Sequence, residues 1–135
     1  MRFVDTNVLL YAVSTAAAEA PKRRTARGIL EGEDLALSVQ VLQEFYCQAT
    51  RPSRTGRLTH QDASALVESW MRFPAQETTA SLLLAALESC RRHRLSYWDA
   101  AVIEAARLMG CRTLLSEDLA DGRVYRGVKV ENPFR

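Results

Sequence analysis

Short apolar runs alternate with stretches of helical period along the chain, and this alternation limits the fold more than any other feature. The runs at 2–4 and 35–37 and the segment "CRTLLS", ending near Ser116, are long enough only for strands. Between them Leu42, Phe45, Tyr46 and Ala49 recur at i, i+3, i+4 and i+7. The stretches 81–93 and 96–109 read as the two clearest helices, and further helices are expected at 6–13, 22–30, 39–50 and 59–73. A short strand is expected at 76–78 and a final edge strand at "VKVEN". Thr6 or Asn7, Ser38 and Ser96 sit where N-caps belong, and Gly110 where a helix C′ glycine belongs. Strands separated by helices argue for a parallel sheet with helices on both faces. The 135 residues contain no repeat or linker, so one domain spanning 1–135 is expected.

No apolar run approaches the roughly 20 residues of a membrane span, and the N-terminus lacks the parts of a signal peptide. A cytoplasmic protein is expected. Cys47, Cys90 and Cys111 show no paired spacing and read as reduced core thiols; His60 and His93 match no zinc spacing and read as surface residues near helix ends. The net charge of +2 is too small to announce a nucleic-acid binder. Only two of the eighteen basic residues are lysines, however; arginine favours bidentate contact with phosphate or carboxylate, and a G+C-rich genome would also enrich it.

Four acids stand out by position. Asp5 ends the first strand, in "RFVDTNVLL", and Asp118 follows the "TLLS" strand. In an open parallel sheet, ligands bind outside the carboxyl ends of the strands, where these two acids are placed to face each other if both strands end there. Asp99 stands three residues after Ser96, as in a capping box, yet it flanks the apolar stripe Trp98, Ala101, Val102, Ala105 and Met109. Glu44 lies between Leu42 and Phe45 and reaches the same crevice only if its helix leans over the sheet. Two carboxylates ~4–5 Å apart repel by roughly 3–4 kcal/mol at an effective dielectric near 20. If four converge, they require protons or a cation. An all-oxygen set without His or Cys suits Mg²⁺ or Mn²⁺, which serve phosphoryl chemistry.

"FVDTNVLLYA", "QVLQEFY", "SYWDAAVIEAA" and "TLLSEDL" resemble, in order and spacing, the motifs of PIN domains. The likeness covers essentially the whole chain, and the ending "GVKVENPF" looks most like the VapC-type toxins of bacterial toxin–antitoxin pairs. The resemblance implies a three-layer α/β/α sandwich with a mostly parallel central sheet. It also implies a metal-dependent endoribonuclease holding one or two Mg²⁺ or Mn²⁺ ions. Its acids map onto Asp5, Glu44, Asp99 and Asp118; Thr6, Asn7 and Ser116 match residues that orient the first acid or water; Asp121 is a candidate fifth acid. Glu117 is a one-residue alternative to Asp118. Metal-activated water would cut RNA to a 5′-phosphate and a 3′-hydroxyl. The resemblance further implies a homodimer and a VapB-like antitoxin.

RNA-binding candidates come from three basic clusters: Arg23, Arg24 and Arg27 beside Lys22; Arg51 and Arg54 with Arg57; and Arg91 and Arg92 with Arg94. Tyr97 and Trp98 are expected in the core. Leu9, Leu10, Tyr11 and Val13 form an expected apolar patch, with Phe45 and Tyr46 able to join it. Alternative functions are a catalytically weak RNA-binding protein on the same fold, a structure-specific DNA nuclease, and a haloacid-dehalogenase-like phosphatase. The last needs a second acid where Asn7 stands and a lysine beyond Lys22 and Lys129.

Overall fold

The computed structural model describes residues 1–135. The chain runs β1 (Arg2–Val4), α1 (Thr6–Ala12), a 3₁₀ turn (Ala17–Glu19), α2 (Ala20–Leu30), β2 (Leu35–Ser38), α3 (Val39–Ala49) and α4 (His60–Trp70). It continues through β3 (Ala75–Gln76), α5 (Ala80–His93), α6 (Tyr97–Leu108), β4 (Thr113–Leu115), β5 (Val124–Tyr125) and β6 (Val128–Glu131). The strands form one sheet in the order β3-β2-β1-β4-β6-β5, parallel except for β5 against β6.

Right-handed crossovers fix the layers. The chain steps one way from β1 to β2 to β3, through α1–α4, and then back across to β4, through α5 and α6. Opposite directions of travel put the two helix groups on opposite faces, giving the expected three-layer sandwich. The order reverses at β1, whose neighbours are β2 and β4. The carboxyl ends of β1 and β4 therefore meet at a topological switch point.

The core is continuous from Phe3, Val8 and Leu9 through Leu35, Val41 and Phe45 to Ile103, Leu114 and Val130. Three expectations about it fail. Leu9 and Phe45 are fully buried, and Leu10, Tyr11, Val13 and Tyr46 are half-buried against them, so no open patch forms there; the large apolar side chains left exposed include Leu83, Leu84 and Leu87 of α5. Trp98 is 62% exposed, because the first turn of α6 points it outward while Ala101, Val102 and Ala105 face the sheet. Cys47 is also exposed and Cys90 half-buried; only Cys111 is a core thiol.

Local chemistry accounts for the remaining differences. α1 is capped by Asp5 itself, one residue earlier than expected. Ser38 and Ser96 cap α3 and α6 as the sequence indicates. Gly110 has φ +74°, which a C′ glycine allows. β3 is two residues long and starts at Ala75 instead of 76. The sheet edge is β5, not β6. Arg126 and Gly127 both have positive φ (49° and 84°), a two-residue turn that folds 124–125 back onto β6. A two-residue strand beginning with an arginine-flanked valine carries no alternation for sequence reading to detect.

Candidate active site

Four separate elements deliver one carboxylate each to a cavity of about 100 Å³ at the carboxyl end of the sheet. Asp5 comes from the end of β1, Glu44 from α3, Asp99 from the first turn of α6, and Asp118 from the loop after β4. Thr6, Asn7, Leu10, Gln40, Gln48, Trp98 and Val102 complete the wall, and no basic side chain lines it.

Asp5 is the most constrained acid. It is 7% exposed. Its Oδ1 accepts the Thr6 N–H at 2.7 Å, and its Oδ2 accepts the Ser116 hydroxyl at 2.7 Å and the Asn7 amide at 3.4 Å. The Asn7 amide also reaches Ser116 Oγ at 3.2 Å and Asp118 Oδ2 at 3.3 Å, while Asn7 Oδ1 accepts the Glu117 N–H at 3.2 Å. Asn7 thus ties the turn after β1 to the loop after β4. The capping role of Asp5 and its place in the cavity are the same geometry, since the first N–H of α1 holds the carboxylate where the strand releases it.

Glu44 is anchored from both sides. The Thr6 hydroxyl donates to Oε2 at 3.0 Å and the Gln40 amide donates to Oε1 at 2.9 Å. Gln40, absent from the sequence candidates, stands one helical turn before Glu44; that i, i+4 spacing was the signal that could have found it. Ser96 Oγ accepts the Asp99 N–H at 3.2 Å, so Asp99 sits in a capped first turn while lining the cavity.

Burial and mutual repulsion act together on these groups. Burial pushes Asp5 up to about 6; the Ser116 and Thr6 hydrogen bonds oppose the rise, and the charges of Asp118 and Glu44 add to it. Burial likewise raises Asp99, its Ser96 hydrogen bond opposes, and Asp118 and Glu44 again add. The acids lack a counter-charge. Their donor set is all oxygen, which suits a hard divalent cation. No three acidic, imidazole or thiol side chains stand close enough to grip one ion directly. Mg²⁺ commonly takes only one or two carboxylates and keeps several waters, so the wider spacing still fits it.

Several sequence candidates have other work. Asp121 lies outside the cavity: its Oδ1 accepts the Asn132 N–H at 2.8 Å and its Oδ2 pairs with Arg135 at 3.3 Å. Glu117 turns away from the acids to Lys22, at 2.5 Å. Arg23 and Arg27 donate to the Ser14 and Ala12 carbonyls, at 2.9 Å each, and so close the carboxyl end of α1. Arg91 pairs with Glu88 at 2.6 Å. Arg24, Arg51 and Arg92 are exposed and line none of these cavities. Arg54 alone among the candidates reaches the rim. It lines an adjoining cavity of about 250 Å³ with Asn7, Gln48 and Asp118, and it forms no ion pair.

No helix is long and apolar enough to cross a membrane. No curated protein matches the chain by sequence. Solved structures do match in fold. A toxin–antitoxin complex from Klebsiella pneumoniae superposes with a TM-score of 0.73 at 18% identity, over 98% of both chains. The sarcin–ricin-loop-cleaving toxin VapC20 of Mycobacterium tuberculosis gives 0.67 at 22%, over 87% of this chain and 90% of that one. DNA-bound VapBC from Salmonella typhimurium gives 0.67 at 16%, over 98% of both. The family model of the PIN domain matches residues 2–126, and the chain belongs to the PIN domain family.

Proposed function

We propose that the protein is a Mg²⁺- or Mn²⁺-dependent endoribonuclease and the toxin of a VapBC-type toxin–antitoxin pair. One observation carries the reading: four carboxylates from four elements line one small cavity that contains no cation of the chain's own. Asp5, Asp99 and Asp118 would hold the ion, one or two of them directly and the rest through its waters, with Glu44 as a further ligand or base. When bound, the ion supplies activation of water and neutralises charge developing on the phosphodiester.

The chain's own residues do the positioning. Ser116, Asn7 and the Thr6 N–H fix the Asp5 carboxylate, and Thr6 and Gln40 fix Glu44. Neither acid has to reorganise as charge develops. Arg54 sits at the rim, where an unpaired guanidinium suits a substrate phosphate. A phosphatase of the haloacid-dehalogenase kind has less support, because no lysine lines the acid cavity and Lys22 is engaged by Glu117 and Tyr11.

The test is cleavage of RNA by the purified protein with Mg²⁺ or Mn²⁺, its loss in EDTA, and its loss in Asp5→Asn and Asp99→Asn. Activity that persists in EDTA, or in Asp5→Asn at the wild-type rate, overturns the reading. A homodimer and an antitoxin partner belong to the same proposal. Light scattering reads the first, and relief of growth arrest by a co-expressed neighbouring gene reads the second.

A further inference from the structure

Trp98 is the one exposed aromatic residue of the chain, and it stands beside the acids. Every other Phe, Tyr and Trp is buried or half-buried, whereas Trp98 is 62% exposed. It precedes Asp99 and forms part of the acid cavity's wall. On its outer side it borders a shallow shelf of about 370 Å³ shared with Gln40, Gln43, Glu44, Cys47 and Gln48.

The indole is held ready. Its ring meets Tyr97 edge-on, with centroids 5.0 Å apart and planes at 81°. Its backbone carbonyl accepts the Gln40 amide at 3.4 Å, and the same amide holds Glu44 at 2.9 Å. Together these contacts hold the backbone of Trp98 and support the indole from one side, leaving the rest of it open to a flat partner. The Gln43 and Gln48 side-chain amides beside it bond no protein group, so they are free to meet the edge of such a partner.

Charge selects the partner. A phosphate on this side would face Glu44 and Asp99 without a basic residue, whereas a neutral nucleobase would not be repelled. The basic rim residue, Arg54, lines the adjoining cavity, which shares Asn7, Leu10, Gln48 and Asp118 with the acid cavity but not Trp98. Resting on the nuclease reading, we propose that Trp98 is a positioning residue that stacks an unpaired nucleobase of RNA next to the scissile phosphate. A base still inside a duplex offers no free face, so the enzyme would favour single-stranded segments.

Fluorescence tests this directly, because the second tryptophan, Trp70, is buried. The probes are short single-stranded oligo(A), oligo(C) and oligo(U), added to the full-length Asp5→Asn protein, with the oligo(A)·oligo(U) duplex as control. At least one single strand should quench the emission, and the duplex should not. Trp98→Ala should weaken single-strand binding about tenfold and raise KM for cleavage more than it lowers kcat, whereas Trp98→Phe should restore both. Circular dichroism matching wild type excludes misfolding, and if Trp98→Ala does not fold, Trp98→Phe and the quenching decide. RNA that binds and is cut without quenching, with Trp98→Ala unchanged, overturns the stacking and leaves the nuclease standing. A wild-type protein that neither binds nor cuts any of these RNAs overturns both. A Trp98 response to the antitoxin but not to RNA overturns the proposal in favour of a protein contact.

Discussion

Two buried acids of this chain meet opposite treatment. Glu104, in the middle of α6, is wholly buried and is paired by Arg107 at 2.5 Å and by Arg126 at 2.7 Å. Asp5 is nearly as buried but receives only neutral hydrogen-bond donors, and its charged neighbours are further acids. The chain neutralises the first carboxylate with its own cations and leaves the second for something from outside. A buried acid without a cation of the chain's own is a stronger candidate for chemistry than one that burial alone would pick out.

Substitutions should divide along the same line. The largest effect is expected at the acid cavity: Asp5→Asn should lower RNA cleavage by roughly 10³-fold, several kcal/mol at the transition state, in a single-turnover assay. A comparable cut in activity from Glu104→Gln, in a protein still folded, would erase the distinction. Next comes Glu104→Ala, which strands two arginines around a cavity. It should cost roughly 3–4 kcal/mol in denaturant unfolding while sparing cleavage at low temperature.

The third effect has the opposite sign. Between the ordinary Asp value of 3.8 and about 6, folded Asp5 keeps a proton that the unfolded chain has released. Stability of the metal-free protein should therefore fall as pH rises through that window, by roughly 3 kcal/mol in full. Asp5→Asn should flatten that slope and make the metal-free protein about 1–2 kcal/mol more stable at pH 7, as read by urea unfolding. A metal-free mutant less stable than wild type at pH 7 would mean that the Ser116 and Thr6 hydrogen bonds outweigh the cost of burying the charge. The smallest effect belongs to Arg54→Ala. It should raise KM about three- to fivefold, leave kcat in place and weaken the salt dependence of binding.

Much of this site was legible because its acids are marked by local grammar. Asp5 ends an apolar run, Asp118 follows another, and Asp99 sits three residues after a cap, so the ends of elements announced them. Glu44 was legible only through resemblance, since its position on α3 said nothing about which way that helix leans. The packing of α3 on α1, where Thr6 donates to Glu44, settles it. Trp98 was misplaced because helical period assigns a stripe but not where the stripe ends, and the first turn of α6 overhangs the sheet. Arg126 was invisible as a partner for Glu104 because a left-handed turn brings it from 22 residues away. Arg23 and Arg27 looked free because carbonyl acceptors leave no mark in a sequence.

β1 is the third of six strands across the sheet yet the first one made, and its partner β4 begins at Thr113. Asp5 is held by Ser116, 111 residues further along. A growing chain that has passed residue 99 already carries three of the four acids, but it has neither the strand that seats Asp5 nor the hydroxyl that orients it. Long-range pairing of this kind is slow to form and completes late. The order of synthesis therefore withholds the assembled cavity from any chain that ends before β4 and Ser116.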